Sequence, residues 1–380
     1  MCFVDISNVC VAVFACNVYM DQDLGIKFNF YPGSPVNLQS KLKFRNSGAH
    51  TIACMKILIV NNTVIPAAKY GGTERVIWWL GRELNRLGHE ITYLVSVGST
   101  CPFAKVLIYD PTVDMNLQVP DEVDVVHFHF QVSGFTKKPY LVNVHNNPGY
   151  GQVLDQNSVF VSADHAARHG STAFVRHGLD PDDYPRPDLQ QKRNHTHFLA
   201  KAAWRVKNVK GAIDIATQSH NKLMVLGGTR LNLKMGLRFT PNLNVRFKGM
   251  VDNAQKSVVL NTSKALLFPV LWHEPFGLAI IESLYFGCPV FGTPYGSLPE
   301  LVPTEVGLLS NSKQALVTGL KSVDIFSNQH CHDYAMEYFT VQKMAQHYLA
   351  LYEKVLNGET LNSVNPTLKE ISPKYLAWNE

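Results

Sequence analysis

At 380 residues the chain exceeds a usual single domain, and 46% hydrophobic against 17% charged residues describes large buried sheets and excludes disorder. A net charge of +5 and a pI near 8.7 are too mild and too dispersed for a nucleic-acid binder; they suit an anionic substrate or a membrane surface. Seven cysteines without paired spacing give neither a disulfide framework nor a zinc ligand set, and a reducing cytoplasm is the simplest setting.

Residues 1–54 read as a non-native or disordered N-terminal extension. "VCVAVFACNVYM" (9–20) has the apolarity of a signal-peptide core, but no Lys or Arg precedes it and it is too short to span a bilayer. "MKILIVNN" from Met55 has the look of a natural first strand. From there, short apolar runs alternate with amphipathic helices, the pattern of parallel α/β sheets. Strands are expected at 56–60, 91–96, 105–109, 124–130, 140–145 and 159–163. A helix over "TERVIWWLGRELNRLGHE" should be N-capped by Thr73 and stopped at Gly88. "DPDDYPRPD" (180–188) interrupts the pattern and ends a first domain at about residue 190. The scheme then repeats, with strands at 197–202, 222–227, 244–249, 265–270, 289–293 and 307–310, so a second domain covers 191–340. A helix at 341–358 and a tail at 359–380 follow. Two wound sheets of this kind bind ligands beyond their strands' carboxyl ends and would face each other across a cleft.

"HEPFGLAIIES" (273–283) sets two carboxylates eight positions apart in an apolar segment. Pro275 favours a helix start, and on a helix from there Glu274 and Glu282 would lie roughly 12 Å apart on nearly one side. The amides of Phe276, Gly277 and Leu278 between them would stabilise an anion. Acid, anion site, acid matches a nucleotide sugar, although a capping glutamate and a solvated one would read the same in isolation.

With these pieces in this order, Met55 to about Gly358 resembles the retaining glycosyltransferases of family 4, which have the GT-B fold of two Rossmann-like domains around a central cleft. The motif "EPFGLAIIE" after a strand ending "LLFPVLWH" carries the resemblance. It implies that Glu274 contacts the sugar, that Phe276, Gly277 and Leu278 contact sugar and phosphate, and that Glu282 binds ribose. "AKYGGTE" (68–74) then places Gly71, Gly72 and Thr73 over the donor phosphates or the acceptor. His145, ending the strand in "LVNVHNNPG", falls beside the reacting carbon. His127 and His129 alternate on one strand face; His129, nearer the carboxyl end, could line the substrate, and no third ligand at fitting spacing makes a metal site of them.

The basic pair that steadies the leaving diphosphate has its counterpart in "FLAKAAWRVKNVKG", where Lys201, Arg205, Lys207 and Lys210 can each supply a cation. Lys201, Arg205 and Lys210 are the candidates, with Glu274 and His145, for the catalytic set. "GMVD" (249–252) assigns Met250 and Val251 to base recognition. "TPYGSLPE" (293–300) resembles a donor-side loop. Arg230, Lys234 and Arg238 recur every four residues, as on a basic helix face that is either solvated or touching phospholipid.

The resemblance implies transfer of a hexose from a UDP- or GDP-sugar to a hydroxyl acceptor, with retention of configuration, in the cytoplasm or peripherally at a membrane. It requires no metal and no cofactor beyond the co-substrate. A non-hydrolysing sugar-nucleotide epimerase, and a GT-B protein that binds nucleotide sugars without catalysis, are the alternatives.

Overall fold

In the computed structural model, the described residues are 54–67, 71–233 and 237–379, together with two short antiparallel hairpins nearer the N terminus. The hairpins pair β1 (Cys2–Ile6) with β2 (Val9–Val13), and β3 (Val18–Met20) with β4 (Ile26–Phe28). They belong to a unit, Met1–Ile52, separate from Ala53–Glu380. The rest of the expected extension lies outside the described residues.

The larger unit begins with β5 (Lys56–Val60), α1 (Gly72–Arg86), β6 (Glu90–Val95), β7 (Lys105–Ile108), α2 (Met115–Gln118), β8 (Val125–Phe128), β9 (Tyr140–Val144), β10 (Ser158–Phe160) and α3 (Ala163–Arg168). The six strands form one parallel sheet in the order β10-β9-β8-β5-β6-β7. Four consecutive residues of β5 and all four of β8 are buried, because a parallel sheet covered on both faces needs continuous apolar runs.

The second half supplies β11 (His195–Leu199), α4 (Val209–Gln218), β12 (Leu223–Leu226), β13 (Leu231–Asn232), β14 (Arg238–Phe239), β15 (Val245–Gly249), α5 (Asn253–Asn261), β16 (Ser263–Phe268), α6 (Leu278–Tyr285), β17 (Val290–Gly292), α7 (Leu298–Leu301), β18 (Gly307–Leu309), α8 (Lys313–Lys321) and α9 (Asn328–Tyr338). Its parallel sheet runs β15-β12-β11-β16-β17-β18. Strand order reverses beside β5 in the first sheet and beside β11 in the second, the places where open α/β sheets accept ligands.

The last helix, α10 (Val341–Leu356), returns to the first sheet and packs on α1, β8 and β9. Tyr348 donates to Asn143 Oδ1 (2.7 Å), and the Tyr352 hydroxyl meets His127 Nδ1 (2.8 Å). The chain passes between the halves at Leu179 and again at Thr340, and these crossings lie side by side: Leu179 N–H donates to Phe339 O and Val341 N–H to Leu179 O, each at 2.9 Å. The tail first follows the first half, where Asn362 Nδ2 donates to Gln156 O and Ser158 O. It then reaches the second, where Leu376 N–H donates to Leu271 O.

Three local expectations are corrected. Helix α1 begins at Gly72 with Gly71 as its N-cap, two residues before the expected Thr73 cap. Helix α6 begins at Leu278, three residues after Pro275, because Gly277 takes a left-handed φ of 89° that ends the incoming loop. Glu274 therefore sits in that loop and not on the helix. Finally, Arg230 and Arg238 lie on the β13–β14 hairpin and not on a helix: alternating polar and apolar residues favour a period of two here. Lys234 lies outside the described residues.

Candidate active site

A cleft of about 450 Å³ lies between the carboxyl ends of the two sheets. Gly71, Gly72 and Thr73 enter it from the β5–α1 loop, and His145 from the end of β9. Lys201 and Lys207 follow β11, Met250 and Val251 follow β15, and Glu274, Phe276, Gly277, Leu278 and Glu282 run from the loop after β16 into α6. The N-termini of α1 and α6 meet here: a Cβ on Gly72 would stand 3.3 Å from Leu278 Cδ1. Two sets of helix-end amides thus converge on one space, an arrangement that favours an anion.

The loop bearing Glu274 is pinned from several sides. Gly296, with φ at 64°, approaches so closely that a Cβ would lie 2.3 Å from the Glu274 backbone. Ser297 donates through its amide to Glu274 O (2.9 Å) and through its hydroxyl to Phe276 O (2.6 Å), while Ser162 Oγ donates to Pro275 O (2.6 Å). The "TPYGSLPE" loop thus holds the first glutamate in place. Its carboxylate, 5% exposed as a residue, accepts from Lys207 Nζ at 2.6 and 2.8 Å and from Trp272 Nε1 at 2.8 Å.

Glu282 lies on α6, buried at 2% exposure. Its Oε1 accepts from Arg75 (2.7 Å), Lys256 (2.6 Å) and the Tyr184 hydroxyl (2.5 Å). Burial alone would raise its pKa, but the charges of Arg75 and Lys256 override this and hold it at about 2. Burial pulls the Lys256 ammonium down to about 8 despite Glu282. Arg75 belongs to α1 of the first half, so this cluster also joins the two sides of the cleft.

His145 is third in a column of four stacked imidazoles that ends at His177, and both of these line the cleft. Ring centroids are 4.2 Å apart from His127 to His129, 5.2 Å from His129 to His145 and 5.5 Å from His145 to His177. Burial drives His127 to about 3, His145 to about 4, and His129 and His177 well below the usual value, so all four are neutral near pH 7. His129 is behind the cleft wall, with its Nδ1 2.9 Å from His145 Nε2. It is not among the residues that line the cleft: β8 ends one residue earlier, and the side chain is buried. Among the described residues no three His, Cys, Asp or Glu side chains are grouped to hold a metal ion.

Two expected cations are placed outside this cleft. Arg205 and Lys210 border a different recess, because the 3₁₀ turn Arg205–Lys207 rotates successive side chains to different sides and α4 then carries Lys210 outward toward Asp214 (3.8 Å). Lys207 is the residue this turn aims into the cleft, just ahead of Asn208, which adopts φ 51° and caps α4. Arg75, Lys256 and Tyr184 were not foreseen. Arg75 adjoins "GGT" in sequence, but nothing local reveals that its partner lies 207 positions away.

Residues 185–328 match the family model described as glycosyl transferases group 1. The D-rhamnosyltransferase WbpZ of Pseudomonas aeruginosa is 28% identical over 141 residues, which is 33% of this chain and 36% of that protein; the match thus spans little more than a third of the curated relative. Among solved structures, AviGT4, a glycosyltransferase involved in avilamycin A biosynthesis, superposes with a TM-score of 0.67 at 21% identity, over 80% of this chain and 99% of that one. Anabaena HepE in complex with UDP and glucose gives 0.60 at 14% identity, over 79% and 99%. With the two wound sheets and the cleft between them, the superpositions give the chain the GT-B fold, and its residues 185–328 are similar to the glycosyl transferases group 1 family.

Proposed function

We propose that this chain is a retaining, metal-independent glycosyltransferase that moves a hexose from a nucleoside-diphosphate sugar to a hydroxyl acceptor on a glycan, a lipid-linked carrier or a small molecule. The observation that carries the reading is the convergence of the α1 and α6 N-termini between Glu274 and Glu282, with Lys201 and Lys207 on the same wall. A diphosphate placed at the helix ends has a sugar-side carboxylate and a ribose-side carboxylate within the same cleft. The complex of HepE with UDP and glucose favours UDP over GDP for the donor. A cytoplasmic setting follows from the reduced cysteines expected of the sequence.

In this scheme the bond from the anomeric carbon to the diphosphate breaks while the acceptor oxygen attacks from the same face, and a donor phosphate oxygen takes the acceptor's proton. Lys207, Lys201 and the helix amides receive the charge that develops on the leaving diphosphate. Glu274 accepts hydrogen bonds from hexose hydroxyls and keeps Lys207 aimed. Neutral His145 offers a hydrogen bond beside the reacting carbon without adding charge. No side chain needs to act as nucleophile, so alignment and charge stabilisation are the protein's main contributions.

Calorimetry with UDP, GDP and their hexoses, followed by NMR of the product anomer, tests this reading. UDP-hexose should bind, transfer should survive EDTA, and the product should keep the donor's anomeric configuration. An epimer formed from donor alone would identify the epimerase, and binding with neither transfer nor hydrolysis would identify the inactive binder.

A further inference from the structure

The hairpin between β12 and β15 wears its polarity inside out. Leu231 pairs opposite Phe239, and Asn232 opposite Arg238. Alternation along a strand sets Leu231 and Phe239 on one face, and Leu233 and Leu237, two residues further along each arm, return to that face. All four point to solvent, with exposures of 52%, 62%, 73% and 77% for Leu231, Phe239, Leu233 and Leu237.

The arginines are on the protein side instead. Arg230 donates to the carbonyls of Asn242 (3.0 Å) and Val245 (2.7 Å). Arg238 lies 5.0 Å from the Phe247 ring and donates to Thr240 Oγ1 (3.0 Å) and Thr229 O (3.1 Å). Arg230 thus ties the hairpin to edge strand β15 and the loop before it, and Arg238 packs on Phe247 of that strand, leaving the apolar face outward. A hairpin that meets only water packs the opposite way.

The surroundings say what this face meets. Between Lys210 and Met250 the sequence carries seven Lys or Arg against one acidic residue, Asp214. Arg246 and Lys248 stand exposed on edge strand β15 at the base of the hairpin. On the other side, Leu237 and Arg238 border a recess of about 370 Å³ shared with Arg205, Lys210, Trp204 and Tyr375. Apolar side chains ringed by cations complement a surface that is anionic outside and hydrocarbon beneath. A nucleic acid would answer the cations and leave the leucines wet.

We propose that the β13–β14 hairpin docks the second domain onto an anionic phospholipid bilayer, its leucines and Phe239 entering the headgroup boundary. Trp204 lines both the recess and the donor cleft, so docking brings the rim of the cleft close to the membrane. The inference stands on the hairpin and its charge, independently of the transfer reaction.

The test is co-sedimentation of the full chain with vesicles of phosphatidylcholine alone or mixed with phosphatidylglycerol. Binding should require the anionic lipid and weaken with salt. Leu231→Ser/Phe239→Ser should lower the partition coefficient about tenfold or more, and Arg246→Glu/Lys248→Glu should do likewise. Both variants should retain the parent's melting temperature and nucleotide affinity. Absence of binding to either vesicle, equal binding to both, or binding indifferent to the two double variants overturns the proposal. So does a dimer, seen by light scattering, that the Leu231→Ser/Phe239→Ser variant dissociates, since the face would then belong to a second copy.

Discussion

Substituting Glu282 by Gln removes one charge and leaves two. In the parent, Arg75 and Lys256 share Oε1 with the Tyr184 hydroxyl, all within 2.7 Å. The carboxyl pKa falls from 4.5 to about 2 on folding. By linkage this contribution is complete above pH 4.5 and is lost only as the pH falls toward 2. At neutral pH it amounts to roughly 3 kcal/mol, which agrees with the cost of breaking a buried pair from one side. Without Glu282, the buried Lys256 ammonium loses its principal support. Urea unfolding should therefore place Glu282→Gln roughly 3 kcal/mol below the parent, and Lys256→Met in the same chain should restore about half, because it removes an uncompensated cation. A loss under about 1 kcal/mol, or a double variant no more stable than the single one, would refute the argument. Calorimetry on the folded variant adds the functional half: nucleoside-diphosphate affinity should fall by about tenfold or more, since the proposed ribose partner is gone.

Three further outcomes follow. Glu274→Gln should leave free nucleoside-diphosphate affinity nearly unchanged while transfer falls about tenfold or more, because this carboxylate is assigned to the sugar; calorimetry beside a transfer assay separates the two effects. Lys207→Ala should slow transfer by about a hundredfold, whereas Arg205→Ala and Lys210→Ala should stay within about twofold of the parent; equal losses in all three would return the diphosphate site to the whole basic loop. The imidazole column should make the fold acid-sensitive, since each folded histidine pKa lies below 6.5 and the unfolded chain takes protons first. Stability is then complete above pH 6.5 and drops by roughly 5 kcal/mol for four such rings one unit below it. A urea midpoint that does not change between neutral and mildly acidic pH would contradict this.

The sheet strands were readable because buried parallel strands must be continuously apolar, and all twelve expected runs overlap a strand of the two sheets. Boundaries slipped where a glycine took a left-handed turn, as at Gly277, or where charge spacing imitated a helix, as around Arg230. The two glutamates stood out because carboxylates in an apolar segment are costly without partners. Their partners did not stand out: Lys207 is one of four cations in a short loop, and Arg75 and Tyr184 reach Glu282 from 207 and 98 positions away. Spatial pairing at such separations leaves no local pattern. His129 is a related case, since strand alternation gives the face of a side chain but not how deeply that face is buried.

The side-by-side crossings at Leu179 and Thr340 act as a double-leaved hinge. Because their backbones are bonded to each other, the halves can bend about one line, whereas sliding or twisting would strip those bonds. The tail adds a tether. Lys369 is fixed to the first half through Arg168 O, and Leu376 to the second through Leu271 O. The seven steps between them can stretch to about 24 Å at most. The tail therefore sets an upper limit on any opening at that edge, in addition to the ties that Arg75 makes to Glu282 and Ser162 to Pro275. A cut within the tether would widen the swing without separating the halves, leaving the hinge to set its direction.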